Sequence, residues 1–218
     1  MTGGTMNVKN IVVGQLEANC YIVSDGQSPD ALIIDPGDDH ERVAEYIDRH
    51  GFKPTGIVLT HAHYDHVCAA GDLQDRYRVP IIMHEDEKAT YETTKKLCIS
   101  WGFSPDDFPP DFQTVREGDK IATDSLLLAI IHTPGHTPGC ISLYGSGTLF
   151  TGDTLFKGSV GRTDLPGGNT NKLMVSLKKL IALPPDTRVL CGHGEETTIG
   201  RELKSNPFLN EKSRLKIF

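Results

Sequence analysis

Residues 61 to 66 read His-Ala-His-Tyr-Asp-His, and this hexapeptide constrains the structure of the chain more than any other segment. Its three imidazoles and one carboxylate stand at positions i, i+2, i+4 and i+5, which suits neither one face of a helix nor one face of a strand. In a loop, the same spacing lets all four side chains surround one point. Imidazole and carboxylate groups together are typical ligands of Zn²⁺, Fe²⁺ and Mn²⁺. The hexapeptide therefore predicts a metal site on a loop, in preference to a solvated or unspecific histidine cluster.

The segment that precedes the hexapeptide, Gly-Ile-Val-Leu-Thr at 56–60, is apolar and β-branched and predicts a short buried strand. Proteins with α/β sheets commonly carry their chemistry at the carboxyl ends of strands. Three other predicted strands also end close to a histidine or an aspartate. We expect the four strand ends to converge on one edge of the fold. The candidate site residues are His61, His63, Asp65, His66, His136, Asp153 and His193.

Two histidines follow the predicted strand at 125–131, and the sequence distinguishes between them. The stretch from His132 to Cys140 contains two Pro-Gly pairs, which favour a tight turn over a continued strand or helix. A histidine held by such a turn is well suited to point inward, so we select His136 as a candidate ligand. We expect His132, at the strand end, to donate a hydrogen bond or simply to pack.

The order of predicted elements indicates an α+β fold. Strands occur in two groups, each followed by helices, which predicts two sheets packed face to face with helices outside. Within the helix predicted at 85–100, we expect Leu97 and Ile99 to face the core. The predicted strands are 11–13, 20–24, 31–35, 56–60, 80–84, 120–122, 125–131, 140–144, 148–151 and 188–191, and the predicted helices are 40–50, 70–77, 85–100 and 172–183.

Composition excludes several classes of protein. The 218 residues are 38% hydrophobic and 23% charged, which predicts a single soluble domain over 1–218. A net charge of −7 argues against a nucleic-acid partner, and no segment is typical of a signal peptide or a membrane span. Five scattered cysteines without CxxC spacing favour a reducing cytoplasm. We expect Cys68, Cys140 and Cys191, which lie near candidate ligands, to be small buried residues.

Four motifs resemble those of the metallo-β-lactamase superfamily: Thr60-His-Ala-His-Tyr-Asp-His66, Pro134-Gly-His136-Thr137, Gly152-Asp153-Thr154 and Gly192-His193. The longer string from Gly152 to Asp164 is similar to the glyoxalase II group and its short bacterial relatives. The resemblance extends from about Ile11 to Phe208. It implies a four-layer αββα sandwich with a binuclear metal centre along one edge.

The resemblance also implies a division of the candidate ligands between two divalent ions. His61, His63 and His136 would bind the first ion, whereas Asp65, His66 and His193 would bind the second, and Asp153 would bridge both. Zn²⁺ is the first expectation, and Fe²⁺ and Mn²⁺ remain open. In this scheme Asp65 is the catalytic residue, which orients a metal-bridging hydroxide and accepts a proton.

The implied reaction is hydrolysis of a small-molecule thioester such as an S-2-hydroxyacylglutathione. The chain departs from full-length glyoxalase II enzymes, because we expect no C-terminal glutathione-binding helical domain within 1–218. Arg162 occupies the position of the glutathione-contacting lysine of that group, but Thr163-Asp164 replaces the aromatic pair that follows it. Arg162 is therefore a candidate substrate-binding residue, with an ordinary surface arginine as the alternative. The oligomeric state is open, a homodimer included.

Other functions on the same scaffold remain as alternatives. Persulfide dioxygenases resemble this chain in the same histidines and aspartates, and they use one iron held by the equivalents of His61, His136 and Asp153. Lactamase-type sites lack the bridging aspartate at the position of Asp153, and the RNA-processing relatives do not match the acidic balance. A non-enzymatic metal-binding protein is the remaining alternative, and the complete set of seven candidate ligands argues against it.

Overall fold

Two six-stranded sheets form the centre of the computed structural model, which describes residues 6–104, 107–124 and 126–209. The first sheet has the order β1-β2-β3-β4-β5-β6 and the second the order β14-β13-β10-β9-β8-β7, while β11 and β12 form a separate hairpin. The strands are β1 Asn7–Val13, β2 Ala18–Ser24, β3 Asp30–Ile34, β4 Lys53–Val58, β5 Ile81–His84, β6 Gln113–Val115, β7 Lys120–Ala122, β8 Leu127–His132, β9 Ile141–Gly145, β10 Thr148–Gly152, β11 Leu155–Phe156, β12 Ser159–Val160, β13 Arg188–Cys191 and β14 Thr197–Thr198.

Six α-helices accompany these sheets in the described part of the chain. They are α1 His40–Arg49, α2 Tyr64–Val67, α3 Ala70–Tyr77, α4 Lys88–Ser100, α5 Thr170–Leu180 and α6 Ile199–Ser205, and a 3₁₀ turn at Glu85–Glu87 precedes α4. No helix in these ranges is both long enough and apolar enough to cross a membrane.

The inner strands β2, β3 and β5 of the first sheet are buried on both faces, as β2 illustrates. Cys20 and Ile22 pack with α1, α3 and α4 on the outer side, whereas Tyr21 and Val23 pack against the second sheet. Successive side chains of a strand point to opposite faces, so a continuous apolar run serves two cores at once. A third core lies between the second sheet and α5. The predicted α+β fold, a four-layer αββα sandwich, is confirmed.

The structure corrects two expectations about individual elements. Leu97 and Ile99 do not face the core, because their side chains are 43% and 36% exposed. The buried residues of α4 are instead Tyr91, Thr94 and Cys98, spaced three and four residues apart along one face. The hexapeptide is also not a loop throughout, since α2 begins at Tyr64 within it.

The strand that leads to the hexapeptide ends two residues earlier than predicted, at Val58. Beyond this point the backbone N–H of Thr60 donates to Asp35 Oδ1 at 2.7 Å, and its hydroxyl donates to Oδ2 at 2.6 Å. A side-chain acceptor thus replaces the next strand partner, which turns the chain out of the sheet. This turn directs the hexapeptide towards the second sheet.

Candidate metal centre

The four strand ends converge at one edge of the sandwich, as predicted. Residues after β4, β8, β10 and β13 bring their histidine and aspartate side chains into one group. Nδ1 of His63 lies 2.9 Å from Nε2 of His136, and Nε2 of His66 lies 3.3 Å from Nε2 of His193. These pairs join residues 73 and 127 positions apart in the sequence. All seven candidate residues belong to this group: His61, His63, Asp65, His66, His136, Asp153 and His193.

Within the group, two sets of three donor atoms share no residue, while His61 and His66 also form a set with the buried Asp35. We call His61, His63 and His136 the first cluster, and Asp65, His66 and His193 the second cluster. The ligand-type atoms of each cluster lie within 4.8 Å of one another. This division is the same as the one that the family resemblance implies.

Asp153 lies between the two clusters. Its Oδ2 is 3.5 Å from Nε2 of His136 in the first cluster, and its Oδ1 is 3.5 Å from Nε2 of His66 in the second. Its Oδ2 is also 3.8 Å from Nε2 of His193. One carboxylate with an oxygen near each cluster has the geometry that is required to bridge two cations.

Three of the histidines are oriented by hydrogen bonds that leave Nε2 free to face the group. Nδ1 of His136 donates to the carbonyl of Arg162 at 2.8 Å, and Nδ1 of His193 donates to the carbonyl of Leu16 at 3.0 Å. Nδ1 of His66 donates to the buried carboxylate of Asp35 at 3.1 Å. The tautomers are inferred from these acceptors. A histidine that ligates a metal is almost always held in this way.

Two atoms of the group are buried without a hydrogen-bond partner: Nε2 of His61 and Oδ1 of Asp153. Leaving such an atom unsatisfied costs about 1–3 kcal/mol, and more when it is charged. Cations held by the two clusters would satisfy both atoms, because each atom has a lone pair that can bind a metal ion. The donors present therefore fit divalent metal ions.

The protonation states of the histidines in the first cluster also favour the binding of a cation. Burial, together with the neighbouring histidines, lowers the pKa of His61 well below its usual value. Burial and the proximity of His136 lower the pKa of His63 to about 4. These imidazoles are therefore neutral at pH 7, which is the form that binds metals.

The second cluster holds opposite charges close together. Burial tends to raise the pKa of Asp65, but the hydrogen bond from His193 and the charge of His66 lower it to about 2. Burial tends to lower the pKa of His66, but the carboxylates of Asp153 and Asp35 raise it to about 9. Metal binding releases protons from such groups. An ion that displaces the protons on the histidines of this cluster could therefore bind one carboxylate and two imidazoles.

The sequence analysis did not select Asp35, whose carboxylate accepts a hydrogen bond from His66 of the second cluster. Its side chain is buried and accepts hydrogen bonds from Thr60 and from His66. Its backbone adopts a left-handed conformation with φ of 51°. The sequence Asp35-Pro36-Gly37 suggests only a turn, although a carboxylate at the end of a buried strand is a further indication of a role.

His132 lies outside the group, and it packs and forms a hydrogen bond as predicted. Its Nε2 donates to the carbonyl of Pro138 at 3.0 Å, and its ring stacks on His84 with centroids 3.9 Å apart and planes inclined by 12°. Asp86 lies near both rings. Because the two rings are nearly parallel, their nitrogen lone pairs cannot point at one common ion.

The three cysteines near the clusters are buried and carry free thiols, as predicted. Burial raises the pKa of Cys191 to about 12, and it also raises the pKa values of Cys68 and Cys140. The thiols are therefore protonated at pH 7 and are poor metal ligands.

A cleft of about 780 Å³ opens directly onto the group. One wall is formed by α4 through Ala89, Thr93 and Leu97, and the opposite wall includes Leu165 and Pro166. The exposed Leu97 thus lines the cleft. The volume and the mostly apolar walls are typical of a site for a small organic molecule.

Arg162 also lines this cleft, but its guanidinium is already paired. Nε and one terminal nitrogen donate to the two carboxylate oxygens of Asp164 at 2.8 and 2.7 Å. Both side chains are more than half exposed. Arg162 is therefore close to a molecule in the cleft, with its charge balanced by its neighbour.

An αββα sandwich with such a histidine and aspartate group at one edge defines a class of metal-binding proteins, most of which are hydrolases. The chain belongs to the metallo-beta-lactamase superfamily, whose sequence profile matches residues 13–193.

Individual relatives agree with this assignment over almost the whole chain. Hydroxyacylglutathione hydrolase GloC of Haemophilus influenzae is 39% identical, over 95% of this chain and 100% of that protein. The crystal structure of TTHA1623 in a di-iron-bound form is 38% identical with a TM-score of 0.84, over 93% of this chain and 100% of that one. The crystal structure of the BLEG-1 B3 metallo-beta-lactamase is 35% identical with a TM-score of 0.85, over 94% of this chain and 100% of that one.

Proposed function

We propose that this protein is a binuclear metallohydrolase that cleaves thioesters of the S-2-hydroxyacylglutathione kind. The observation that carries the proposal is the pair of three-donor clusters with Asp153 between them. The similarity to a hydroxyacylglutathione hydrolase over nearly the full length supports the choice of substrate. Similarity of fold alone would not support it, because one scaffold can carry several chemistries.

In this proposal the first cluster would hold one divalent ion and the second cluster another, with Asp153 between them as a shared ligand. Two such ions lower the pKa of a water molecule towards 7 and stabilise negative charge on a carbonyl oxygen. We propose Zn²⁺ as the native metal, with iron as the alternative that the di-iron relative suggests. Manganese is compatible with the same donors.

Asp65 is the proposed catalytic residue. Its side chain borders the cleft and is 14% exposed, and its Oδ2 lies 3.2 Å from Nε2 of His193. It is a carboxylate at pH 7 and can orient the attacking water. Because its pKa is lowered to about 2, it is a weak base, and we propose that it accepts the proton of a water that the two ions would make more acidic. A thiolate leaves without first being protonated, so the reaction requires no strong general acid.

The decisive experiment is metal analysis of the purified protein, combined with parallel assays on S-lactoylglutathione and glutathione persulfide. We expect two divalent ions per chain and release of glutathione from the thioester. One iron per chain with oxygen uptake on the persulfide would contradict the proposal and support a dioxygenase. A chromogenic β-lactam forms the third assay, because one structural relative is described as a β-lactamase; preferential β-lactam cleavage would also contradict the proposal.

The Arg162–Asp164 pair yields a prediction about substrate charge. We expect Asp164→Asn to lower KM for S-lactoylglutathione severalfold with little change in kcat, because the guanidinium is released to bind a substrate carboxylate. The measurement is steady-state kinetics on two carriers, glutathione and neutral N-acetylcysteamine. Arg162→Met should raise KM for the glutathione substrate alone. Equal effects on both carriers would remove Arg162 from the proposed substrate-binding role.

A further inference from the structure

Glu87 is a fully buried carboxylate that belongs to neither cluster. It ends the 3₁₀ turn that precedes α4, and its side chain is directed inward. Oε2 accepts the backbone N–H of Ala62 at 2.9 Å, and Oε1 accepts the backbone N–H of Gly139 at 2.7 Å. The hydroxyl of Thr137 also donates to Oε1. These three partners are all donors, as an ionised carboxylate requires.

The segments that Glu87 joins are those that carry the first cluster. Ala62 lies between His61 and His63, whereas Thr137 directly follows His136. The two segments are distant in sequence and come from different sheets. One side chain therefore links the residue between His61 and His63 to the turn that follows His136.

A second contact, from Thr94 of α4, holds the same residue, Ala62. The buried hydroxyl of Thr94 donates to the carbonyl of Ala62 at 2.6 Å. Glu87 accepts from the N–H of this residue, so both backbone polar groups of Ala62 are bound from the α4 side. The backbone between two histidines of the cluster is thus held at both ends.

The approach of Glu87 to the other segment depends on a glycine. A Cβ atom at Gly139 would lie 2.6 Å from the backbone nitrogen of Glu87 and 2.7 Å from its Cγ. Real Cβ atoms do not approach so closely, so any larger residue would push the two segments apart. The close approach of Glu87 to this segment therefore requires glycine at position 139.

An apolar side chain could not take this position without cost. Burial raises the pKa of Glu87, while the hydrogen bonds from Thr137, Gly139, Ala62 and Thr90 oppose that rise. Without this acceptor, the buried N–H groups of Ala62 and Gly139 would each lose a hydrogen bond, which is costly for a buried polar group. What an apolar residue cannot do is gather donors from two separate segments in one geometry.

We propose that Glu87 is a positioning residue that sets the distance between the His61–His63 segment and His136, and thereby determines the affinity of the first of two metal sites. This inference rests on the proposed function, since it assumes that the first cluster binds an ion. Asp35 contacts His66 of the second cluster and also Thr60, which adjoins His61, whereas the hydrogen bonds of Glu87 to distant residues reach only the segments around Ala62 and Thr137–Gly139. Loss of Glu87 should consequently weaken one ion and not the other.

The test is a Co²⁺ titration of the full-length metal-free protein, followed by electronic absorption and calorimetry. Glu87→Gln replaces one acceptor oxygen by an NH₂ group that faces donors. We expect one of the two ions to bind about 10–100-fold more weakly, which is the usual effect of losing a residue that orients a ligand. The second ion should bind as in the wild type, and kcat/KM should fall with the occupancy of the weakened site. Excess metal should restore part of the activity.

The matched control is Glu92→Gln, which makes the same charge change at an exposed position of α4 and should leave both affinities unchanged. Equal weakening of both ions by Glu87→Gln, or none, would overturn the inference. If Glu87→Gln does not fold, Thr137→Val removes one of its donors and should weaken the same single ion to a smaller extent. A wild type that binds two ions but hydrolyses no thioester would contradict only the proposed function, because the titration does not depend on the substrate.

Discussion

Replacement of Asp65 by alanine is expected to lower kcat for thioester hydrolysis by about 10²- to 10⁴-fold, the range typical of a lost general base. The side chain borders the cleft, is ionised at pH 7, and lies 3.2 Å from Nε2 of His193 through its Oδ2. The measurement is kcat on S-lactoylglutathione, together with metal content per chain. Metal content is needed because Asp65 is also a proposed ligand of the second ion.

Asp65→Asn separates these two roles, since the amide retains the shape and one oxygen donor but cannot accept a proton. We expect it to keep more metal than the alanine variant and still lose most of the turnover. Asp75→Ala, at an exposed position of α3, is the control and should behave as the wild type. Undiminished kcat in a fully metallated Asp65→Ala variant would exclude the proposed catalytic role.

Gly192→Ala is expected to abolish activity almost completely, although it adds a single methyl group. A Cβ atom at Gly192 would lie 2.2 Å from Oδ1 of Asp153 and 2.9 Å from Cε1 of His66. The methyl group would therefore displace the carboxylate that lies between the clusters. We expect metal affinity and kcat/KM each to fall by at least about 100-fold, the upper range for a disturbed ligand environment. Metal titration and steady-state kinetics measure the two effects.

Gly56→Ala provides the comparison, because its nearest neighbour would be Cδ1 of Ile82 at 3.1 Å, the end of a flexible side chain. This variant should fold and retain activity. Overpacking at Gly192 should also cost about 1–3 kcal/mol of the free energy of unfolding, which thermal denaturation will record. A Gly192→Ala protein that binds two ions normally would contradict the assignment of Asp153 as the bridging residue.

Local sequence patterns predicted the fold class and most strands and helices of this protein. The helix at 70–77 and the strands at 120–122 and 188–191 agree with the predicted bounds. The alternation of side chains along buried strands and the Pro-Gly turns are local features, so they can be read without knowledge of the neighbours. The convergence of four strand ends also followed from the pattern, and it brought all seven candidate residues into one group.

The failures concern residues whose environment comes from distant parts of the chain. Leu97 is apolar, as core residues usually are, but its side chain lines the cleft. The face of α4 that packs on the core is the one with Tyr91 and Cys98. Asp35 and Glu87 have no distinctive spacing, and the hydrogen bonds that connect them to the ligand-bearing segments join residues at least 25 positions apart. Nothing local distinguishes a buried carboxylate with several donors from one in a surface turn.

The sequence by itself determined which side chains could bind metal and that they follow strands, because ligand type and strand periodicity are properties of short segments. The family resemblance implied how these side chains divide between two ions, and the distances in the tertiary structure agree with that division. Only the tertiary structure decided that Asp35 and Glu87 support the clusters and that Arg162 is paired with Asp164. The physical reason is that distances across two packed sheets depend on buried hydrogen bonds such as those of Asp35 and Glu87. Such bonds exist only once the two sheets are in place.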